Sequence, residues 1–277
     1  SKQEGISINE LDSIKGSGKN GRITKNDVLN YISSSNNKEN ISENIKYNEM
    51  SDEIIEMSRM EKLVSDHMIS SKEKSAHVQA FIEADITNLW NWREKNKNTF
   101  FDRENEKITF TPIFIQIVAQ VLREFPMLNV SIDHYSIIKK KSINIGMATA
   151  LSDGNLIVPV IKNADQFSLL GLVKKVNDLA KRARNGNLNP DEVKDGTYTI
   201  SNVGVFDTLM GTPIINQPQV GILAFGAINK KPSVIETDKG DFIGIRHKII
   251  LSHSFDHRIV NGAKGGMFIK RIKELIE

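Results

Sequence analysis

The residues best suited to acid–base chemistry lie near the end of the sequence, in the segment LSHSFDHRIVNGA. His257 follows an apolar run that ends at Phe255 and is typical of a strand, and DHRIVNGA supplies a turn and the start of a helix. A histidine at a strand end is held by rigid backbone and faces an opening, as a general base must. The spacing brings Asn261 close to His257, and Gly262 lets the backbone pass closely. The pattern alone leaves a catalytic and a structural role for His257 equally open.

The remaining histidines have weaker contexts. His67 lies on a helical surface and is expected to be solvated, and His77 precedes a strand, where packing or capping is its expected role. His134 lies in a loop and His247 beside Arg246, which indicates ordinary structural roles. The chain has no cysteine, which excludes disulfides, cysteine nucleophiles and thiolate metal sites. We therefore expect no metal site, and any thiol in the reaction must arrive with a substrate.

Composition narrows the class of protein. The 277 residues are 39% hydrophobic and 26% charged, enough for one large domain with a small accessory module. The net charge of +3 predicts no broad positive surface, so nucleic acid is not an expected partner. No apolar run of membrane-spanning length and no secretory signal are present, which predicts a cytoplasmic protein without a membrane partner. The first residue is Ser1 and not methionine, which indicates a processed chain or a fragment.

The sequence divides into three parts. Residues 1–35 combine apolar residues with the turn-rich GSGKNGR, and Thr24 is placed to cap a short helix, so this part predicts a small helical module. Residues 36–53 are polar without an apolar period and predict a flexible linker. Residues 54–277 alternate helical and strand patterns. This order predicts an α/β fold, a two-layer sandwich in which helices cover one face of a mixed β-sheet.

The individual elements of the large part follow from their periods. Helices are predicted at SRMEKLVSDHMISSK, at FTPIFIQIVAQVLREF after Thr111, at residues 169–184, and at AKGGMFIKRIKELIE. Strands are predicted at HVQAFIEADI, INIGMATAL, LIVPVI, TYTISNVG, VGILAFGAI and HKIILSHSF.

The segment LSHSFDHRIVNGA resembles the SxDHRxxDG signature of the dihydrolipoamide acyltransferase components of 2-oxo-acid dehydrogenase complexes, whose catalytic domain is similar in fold to chloramphenicol acetyltransferase. Other blocks match in the family's order: SRMEKLVSDHMISSKEKSAHV, FTPIFIQIVAQ, KSINIGMATA, LIVPVIKNAD, GTYTISNVG and TPIINQPQVGIL. Residues 1–35 resemble most of a peripheral subunit-binding domain, without its usual first helix. The resemblance covers nearly all of the chain except the linker.

The resemblance implies a reaction and roles for four residues. It implies transfer of an acyl group between a dihydrolipoyl thiol and the thiol of coenzyme A. His257 would be the general base, and the hydroxyl of Ser201 would stabilise the oxyanion. The acidic residue of the signature is replaced by Asn261, whose expected partner is Arg93 in ADITNLWNWR. An amide still accepts hydrogen bonds from a guanidinium, although without charge assistance.

The resemblance also implies an assembly and partners. Coenzyme A would be a substrate, and the lipoyl group would be carried on a lipoyl domain that is not present in this chain. A homotrimer is expected, with His257 facing Ser201 of a neighbour, and trimers would assemble into a larger core. The decarboxylase and the dihydrolipoamide dehydrogenase are the expected partners, with Lys15, Lys19 and Arg22 as candidate contacts. Residues 139–141, KKK, could contact coenzyme A phosphates or form a solvated face.

Two alternatives remain at this point. The chain could be a structural core scaffold with weakened catalysis, for which Asn261 would be the mark. It could also be a free-standing coenzyme A-dependent acetyltransferase, although the module and linker of residues 1–53 favour a tethered component. Acyl specificity stays open among acetyl, succinyl and branched-chain groups, as does the choice between a cubic and a dodecahedral core.

Overall fold

The computed structural model describes residues 16–18, 22–36, 53–151 and 154–277. The chain divides into two compact units, Ser1–Glu56 and Met57–Glu277, and each is described here by itself. The predicted apolar start of the small module and nearly all of the predicted linker lie outside the described residues. The division into residues 1–35, 36–53 and 54–277 therefore stays a prediction.

In the first unit, helix α1 (Lys25–Asn36) begins directly after Thr24, as the capping pattern predicts. The carboxylate of Asp27 organises this helix start. It accepts hydrogen bonds from the backbone N–H of Ser17 (2.9 Å) and of Thr24 (2.8 Å), and from both hydroxyl groups (2.7 and 2.9 Å). These bonds, led by that from the Ser17 backbone, hold the pKa of Asp27 well below its ordinary value. Asp27 thus joins the loop to the helix.

We expect Asp27→Ala to loosen this unit. Because the folded-state pKa of Asp27 is lowered, its stabilising effect is present above the carboxyl's ordinary pKa and is lost as the pH falls. The measurement is amide hydrogen exchange of residues 24–30 at pH 7, which should be faster in the variant. Asp27→Asn keeps one acceptor oxygen and should show a smaller change, whereas equal protection in all three proteins would contradict the role of Asp27.

The second unit contains both helices and strands. The helices are α2 (Arg59–Lys74), α3 (Thr87–Glu104), α4 (Phe110–Glu124), α5 (Leu169–Arg184) and α6 (Gly262–Ile276). The strands are β1 (His77–Asp85), β2 (Val130–Asp133), β3 (Ser136–Lys139), β4 (Ile145–Ala150), β5 (Leu156–Ile157), β6 (Val160–Ile161), β7 (Tyr198–Asn202), β8 (Gly221–Phe225), β9 (Asn229–Thr237) and β10 (Gly240–Asp256).

Within the described part of this unit, a mixed eight-stranded sheet has the order β1-β10-β8-β7-β4-β5, with β6 beside β4 and β9 beside β10. Strands β4, β7 and β8 are parallel, and β10 runs antiparallel to β8 and β1. Helices α4, α5 and α6 pack on one face, where the buried apolar core joins them to the sheet. The predicted two-layer α/β sandwich is confirmed.

The longest strand forms a projecting hairpin. Residues 240–248 of β10 pair with β9, and residues 248–256 pair with β1. The tip of this hairpin carries apolar side chains that nothing in the unit covers, because Phe242, Ile243 and Ile245 are 54%, 84% and 73% exposed. The hairpin therefore presents an apolar surface beyond the edge of β1.

Several elements differ from the sequence prediction. Helix α4 begins at Phe110, before Thr111, and LIVPVI is divided into two short strands at Pro159. Proline has no N–H to donate to a neighbouring strand, which explains the division. Helix α3, the β2–β3 hairpin and β9 were not predicted. Among the described residues, no helix has both the length and the apolarity needed to cross a bilayer.

Candidate active site

The turn after β10 is held by a buried carboxylate. Asp256 is fully buried and forms an ion pair with Arg258, whose Nε and Nη2 donate to it at 3.0 and 2.7 Å. It also accepts the N–H of Ala76 at 3.3 Å. Burial alone would raise the pKa of Asp256, but the interactions with Arg258 and Ser75 together outweigh this effect, and the pKa lies below its ordinary value. The DHR turn therefore has a fixed backbone.

His257 stands at the open end of this turn. Its backbone N–H donates to the carbonyl of Ala76 at 2.8 Å, and its side chain is exposed. Its ring lies beside Phe255, with centroids 6.1 Å apart. Phe255 in turn packs against α6 at Gly265, where a Cβ would lie only 2.5 Å from the Phe255 ring. The predicted placement of a histidine at a rigid strand end is confirmed.

His253 lies two residues before Phe255 and is fully buried. Its ring packs against Phe255 and Phe268, with centroids 5.1 and 4.9 Å away, and near Tyr198 at 6.2 Å. Neither ring nitrogen makes a hydrogen bond of normal geometry within the described part of the chain. Burial lowers the pKa of His253 to about 3, and the neighbouring backbone of Gly265 offsets part of this effect. His253 is thus a neutral core residue.

This burial predicts a pH-dependent stability. The pKa of His253 rises from about 3 in the folded chain to an ordinary 6.5 on unfolding, so the unfolded state binds the proton first as the pH falls. The free energy of unfolding should therefore fall by about 2 kcal/mol between pH 6.5 and 5. Urea titrations at both pH values measure this. His253→Leu should show a clearly smaller fall, and an unchanged pH dependence in that variant would contradict the assignment.

Ser201 lies on β7 in a row of small residues on the sheet face opposite α6. Its neighbours across the sheet are Ala148 on β4 and Ala224 on β8, and Ala224 is paired in turn with Ser252 on β10. Ser201 and Ala148 are partly exposed, whereas Ala224 and Ser252 are buried. The hydroxyl of Ser201 is therefore at the border of an accessible patch.

Ser201 and His257 are far apart in one chain. Ser201 and Ser252 lie two strand spacings apart across the sheet, which is about 10 Å. His257 lies five residues beyond Ser252 in the strand direction, which adds about 16 Å along the strand. The two Cα positions are therefore about 19 Å apart. Neither side chain is long enough to close this gap, so one chain by itself does not bring the predicted base and the predicted oxyanion donor to the same atom.

Asn261 and Arg93 are also separated. The side-chain oxygen of Asn261 caps α6 by accepting the N–H of Lys264 at 2.9 Å. Arg93 donates to the carbonyl of Ile108 (3.0 Å) and to Glu94 (2.7 Å). Helix α6 has 15 residues and is about 22 Å long. Asn261 lies at its first end, whereas its last end approaches the start of α3. The expected contact between Arg93 and Asn261 is therefore not made within one chain.

A set of long-range hydrogen bonds beside the DHR turn was not foreseen. His77 Nδ1 lies 3.0 Å from the carbonyl of Ser75, and its Nε2 accepts the N–H of Ile215 at 3.0 Å. Gln217 donates to the hydroxyl of Ser75 at 2.7 Å. His67, expected to be only solvated, is exposed and contacts Asn216 at 3.0 Å. These bonds tie the TPIINQPQ segment to α2 and β1, next to the backbone that holds His257.

Other predicted features have mixed outcomes. Among the described residues, no cluster of three His, Cys, Asp or Glu side chains is arranged for a metal ion. Residues 139–141 lie at the end of β3, and a contact with coenzyme A phosphates stays a prediction. His134 lies at the exposed tip of the β2–β3 hairpin. The ring of His247 stacks on Trp90 at 4.4 Å, which fits the expected structural role.

The sequence matches two family descriptions. Residues 49–277 match "2-oxoacid dehydrogenases acyltransferase (catalytic domain)", and residues 2–29 match "e3 binding domain". The chain is 34% identical to the lipoamide acyltransferase component of the branched-chain alpha-keto acid dehydrogenase complex of Bacillus subtilis, over 97% of this chain and 67% of that protein. It is 36% identical to the succinyltransferase component of the 2-oxoglutarate dehydrogenase complex of the same organism, over 81% of this chain and 53% of that protein.

Solved structures agree with the sequence matches. A probable dihydrolipoamide acetyltransferase from Listeria monocytogenes superposes with a TM-score of 0.77 at 37% identity, covering 82% of this chain and 94% of that one. The Azotobacter vinelandii dihydrolipoamide acetyltransferase gives 0.76 at 33% identity, covering 81% and 91%. The description of that Azotobacter structure names a serine, a histidine and an asparagine in the enzyme's catalytic mechanism, and the asparagine lies four residues after the histidine. By its sequence and its fold, this chain belongs to the family of 2-oxoacid dehydrogenase acyltransferases.

Proposed function

We propose that the assembled protein transfers an acyl group between a dihydrolipoyl thiol and the thiol of coenzyme A, with His257 as the general base and Ser201 as the oxyanion donor. The spacing of His257 and Asn261 equals that of the histidine and asparagine in the Azotobacter enzyme. Within one chain, Ser201 and His257 are about 19 Å apart. A site that uses both residues must therefore combine two copies of the chain.

The proposed reaction needs only the attacking thiol, the thioester and the side chains of His257 and Ser201. A thiol with an ordinary pKa of about 8.5 is mostly protonated at neutral pH, so it needs a base to become a nucleophile. His257 accepts the proton of the attacking thiol, and the sulfur forms a bond to the thioester carbonyl carbon. The hydroxyl of Ser201 donates to the resulting oxyanion. The bond to the leaving sulfur then breaks, and that sulfur takes the proton back from His257.

Asn261 supports this chemistry by holding the base in place. It caps α6 four residues after His257, so the DHR turn is fixed by Asp256 on one side and by this cap on the other. An asparagine also occurs in the catalytic set studied in the Azotobacter acetyltransferase. This argues against reading Asn261 as the mark of a decayed scaffold. Arg93 does not contact Asn261 within one chain, and its pairing with Asn261 stays a prediction for the assembled protein.

The quaternary proposal is a homotrimer whose channels lie between subunits and whose trimers build a larger core. The unit that matches the E3 binding domain would hold the dihydrolipoamide dehydrogenase or the decarboxylase, and a lipoyl domain would supply the acyl group. Such a complex operates in the cytoplasm in this proposal. The exposed apolar side chains of α2 and of the β9–β10 hairpin are surfaces that such an assembly would cover.

Mixed assemblies test the proposal directly. Chains with His257→Ala and chains with Ser201→Ala are coexpressed in equal amounts and assayed for transfer from acyl-coenzyme A to dihydrolipoamide. Each variant alone should be nearly inactive. In random trimers about one quarter of the channels would receive both intact residues from two different copies, so about one quarter of the activity should return. Recovery should not occur when the two variants are assembled separately and then mixed.

A mixture that regains no activity would contradict a site shared between two copies. If both residues acted within one chain, every site in the mixture would lack one of them and no activity would return. If either variant alone kept most of its activity, its assigned role would be wrong. Size-exclusion chromatography of both variants ensures that loss of activity is not loss of assembly.

A further inference from the structure

Polar side chains join the TPIINQPQ segment, residues 212–219, to the end of α2. The amide nitrogen of Gln217 donates to the hydroxyl of Ser75 at 2.7 Å and to the hydroxyl of Ser71 at 3.4 Å. The hydroxyl of Ser71 donates in turn to the carbonyl of Ile215 in the same segment. Because Ser71 and Ser75 are both buried, water competes little with these bonds.

Ser75 extends this contact to the buried carboxylate of Asp256. A serine hydroxyl has one proton to donate and can also accept. The hydroxyl of Ser75 accepts from Gln217 and donates its own proton to Asp256. Burial acts to raise the pKa of Asp256, and the hydrogen bonds from Arg258 and Ser75 lower it below its ordinary value. Gln217, Ser75 and Asp256 therefore form a directed chain of hydrogen bonds.

Asp256 fixes the backbone on both sides of His257. Its Oδ1 accepts the N–H of Ala76 at 3.3 Å and the N–H of Arg258 at 3.1 Å. The carbonyl of Ala76 accepts the N–H of His257 at 2.8 Å. The backbone N–H of Asp256 donates to the carbonyl of Val220, at the end of the segment, at 2.9 Å. The place of the His257 backbone therefore depends on where this carboxylate is held.

Ser75 holds the carboxylate under different conditions from Arg258. The side chain of Arg258 is 43% exposed, and an ion pair with an exposed partner is weakened by water and salt. Ser75 is only 5% exposed, so its hydrogen bond to Asp256 lies where water does not reach. Of these two restraints on Asp256, the one from Ser75 is therefore the less sensitive to solvent.

We propose that Gln217 and Ser75 position the general base of this enzyme. Their chain of hydrogen bonds to Asp256 holds the turn that carries His257 in the geometry that proton transfer needs. This inference rests on the proposed acyltransferase function. Neither residue touches the reacting atoms, so both act through His257. A displacement of about 1 Å near a reacting group can cost about 100-fold in rate, and loss of one restraint should cost about tenfold.

The experiment measures kcat and KM for acyl transfer to dihydrolipoamide with the assembled full chain. The donor is whichever of acetyl-, isobutyryl- and succinyl-coenzyme A the unmutated protein uses best. Gln217→Met keeps the length of the side chain without its donor, and Ser75→Ala removes the hydroxyl. Both should lower kcat about tenfold and change KM less than about twofold. Ser75→Thr keeps the hydroxyl and should recover most of the rate.

His67→Ala is the matched control. It removes another bond between α2 and the same segment, the contact of His67 with Asn216, and leaves the chain to Asp256 intact. It should therefore leave kcat unchanged. A loss of kcat in His67→Ala equal to that in Gln217→Met would mean that any loosening of the segment has this effect, which contradicts a specific role for the chain.

Double mutants separate positioning from a general loss of structure. In a His257→Ala background, Ser75 and Gln217 have no base left to position. Adding Ser75→Ala or Gln217→Met to His257→Ala should therefore lower the remaining activity less than about twofold. Damage to the fold or to the oxyanion donor would instead lower that activity by the same factor as in the unmutated chain. Size-exclusion chromatography checks the assembly of each variant.

The outcomes distinguish this inference from the proposed function. The inference is overturned if Gln217→Met and Ser75→Ala assemble and keep their full kcat while His257→Ala loses it, or if the losses multiply in the double mutants. If Ser75→Ala does not assemble, Gln217→Met decides, because its side chain is only partly buried. An unchanged rate in His257→Ala overturns the proposed function, and this inference with it.

Discussion

His257→Ala is expected to lower kcat for acyl transfer about 10²- to 10⁴-fold, the usual contribution of a positioned general base. The side chain is exposed at a turn whose backbone is held by Asp256 and Ala76, so its removal takes away the base without opening the core. The assay is steady-state transfer from acyl-coenzyme A to dihydrolipoamide. Binding of both substrates should change much less than kcat, because the lost group acts on the proton and not on the bulk of either substrate.

The pH profile distinguishes a base from a structural residue. A base gives an ascending limb in kcat/KM as the pH rises. In His257→Ala this limb should move up to the pH range of the thiol, whose pKa is about 8.5, because the remaining activity depends on thiolate formed in solution. Arg258→Lys is a useful control, because it keeps the charge beside Asp256 and leaves His257 in place. A His257→Ala enzyme that kept both its rate and its ascending limb would remove His257 from the mechanism.

Ser201→Ala is expected to lower kcat by about 10² to 10³, or about 2.7 to 4 kcal/mol of activation free energy, as for other enzymes that lose one oxyanion donor. The neighbouring row positions at Ala148 and Ala224 already hold alanine, so the sheet accommodates a methyl group there. The melting temperature should therefore change little. A small effect on kcat would mean that Ser201 is an ordinary strand serine.

Ser201→Thr separates the hydroxyl from the side-chain volume. Threonine keeps the donor and suits a strand, so this variant should retain far more activity than Ser201→Ala. Because Ser201 is not a nucleophile in the proposed reaction, no acyl-enzyme should accumulate when acyl-coenzyme A is added alone. Mass spectrometry of the intact chain checks this, and an acyl group on Ser201 would contradict the assigned role.

The fold was predictable where burial dominates the pattern. Strands β4 and β8 and helix α4 are largely apolar, β7 alternates apolar and polar residues, and the structure places most of their residues in the core. Helix α3 has no fully buried residue, so its sequence shows no apolar period to detect. Strand β9 is half exposed, carries Pro232 and pairs only with β10 among the described strands, which explains why it was not predicted.

The site was predictable only in part for a related reason. His257 follows a strand and Ser201 lies within one, and both positions follow from local patterns together with the resemblance. The contact between His77 and Ile215 joins residues 138 positions apart, and no period encodes such a pair. Likewise, the distance between Ser201 and His257 depends on the order of β7, β8 and β10 in the sheet, which only the tertiary structure reveals.

The exposed apolar tip of the β9–β10 hairpin favours association of subunits that are not assembled. The outer edge of β9 and the part of β10 beyond β1 offer backbone groups that are ready to pair, next to Ile243 and Ile245. Solvent-exposed strand edges with apolar side chains favour uncontrolled association. Mutations that split the assembly at ordinary protein concentration should therefore lead to turbidity instead of a soluble single subunit.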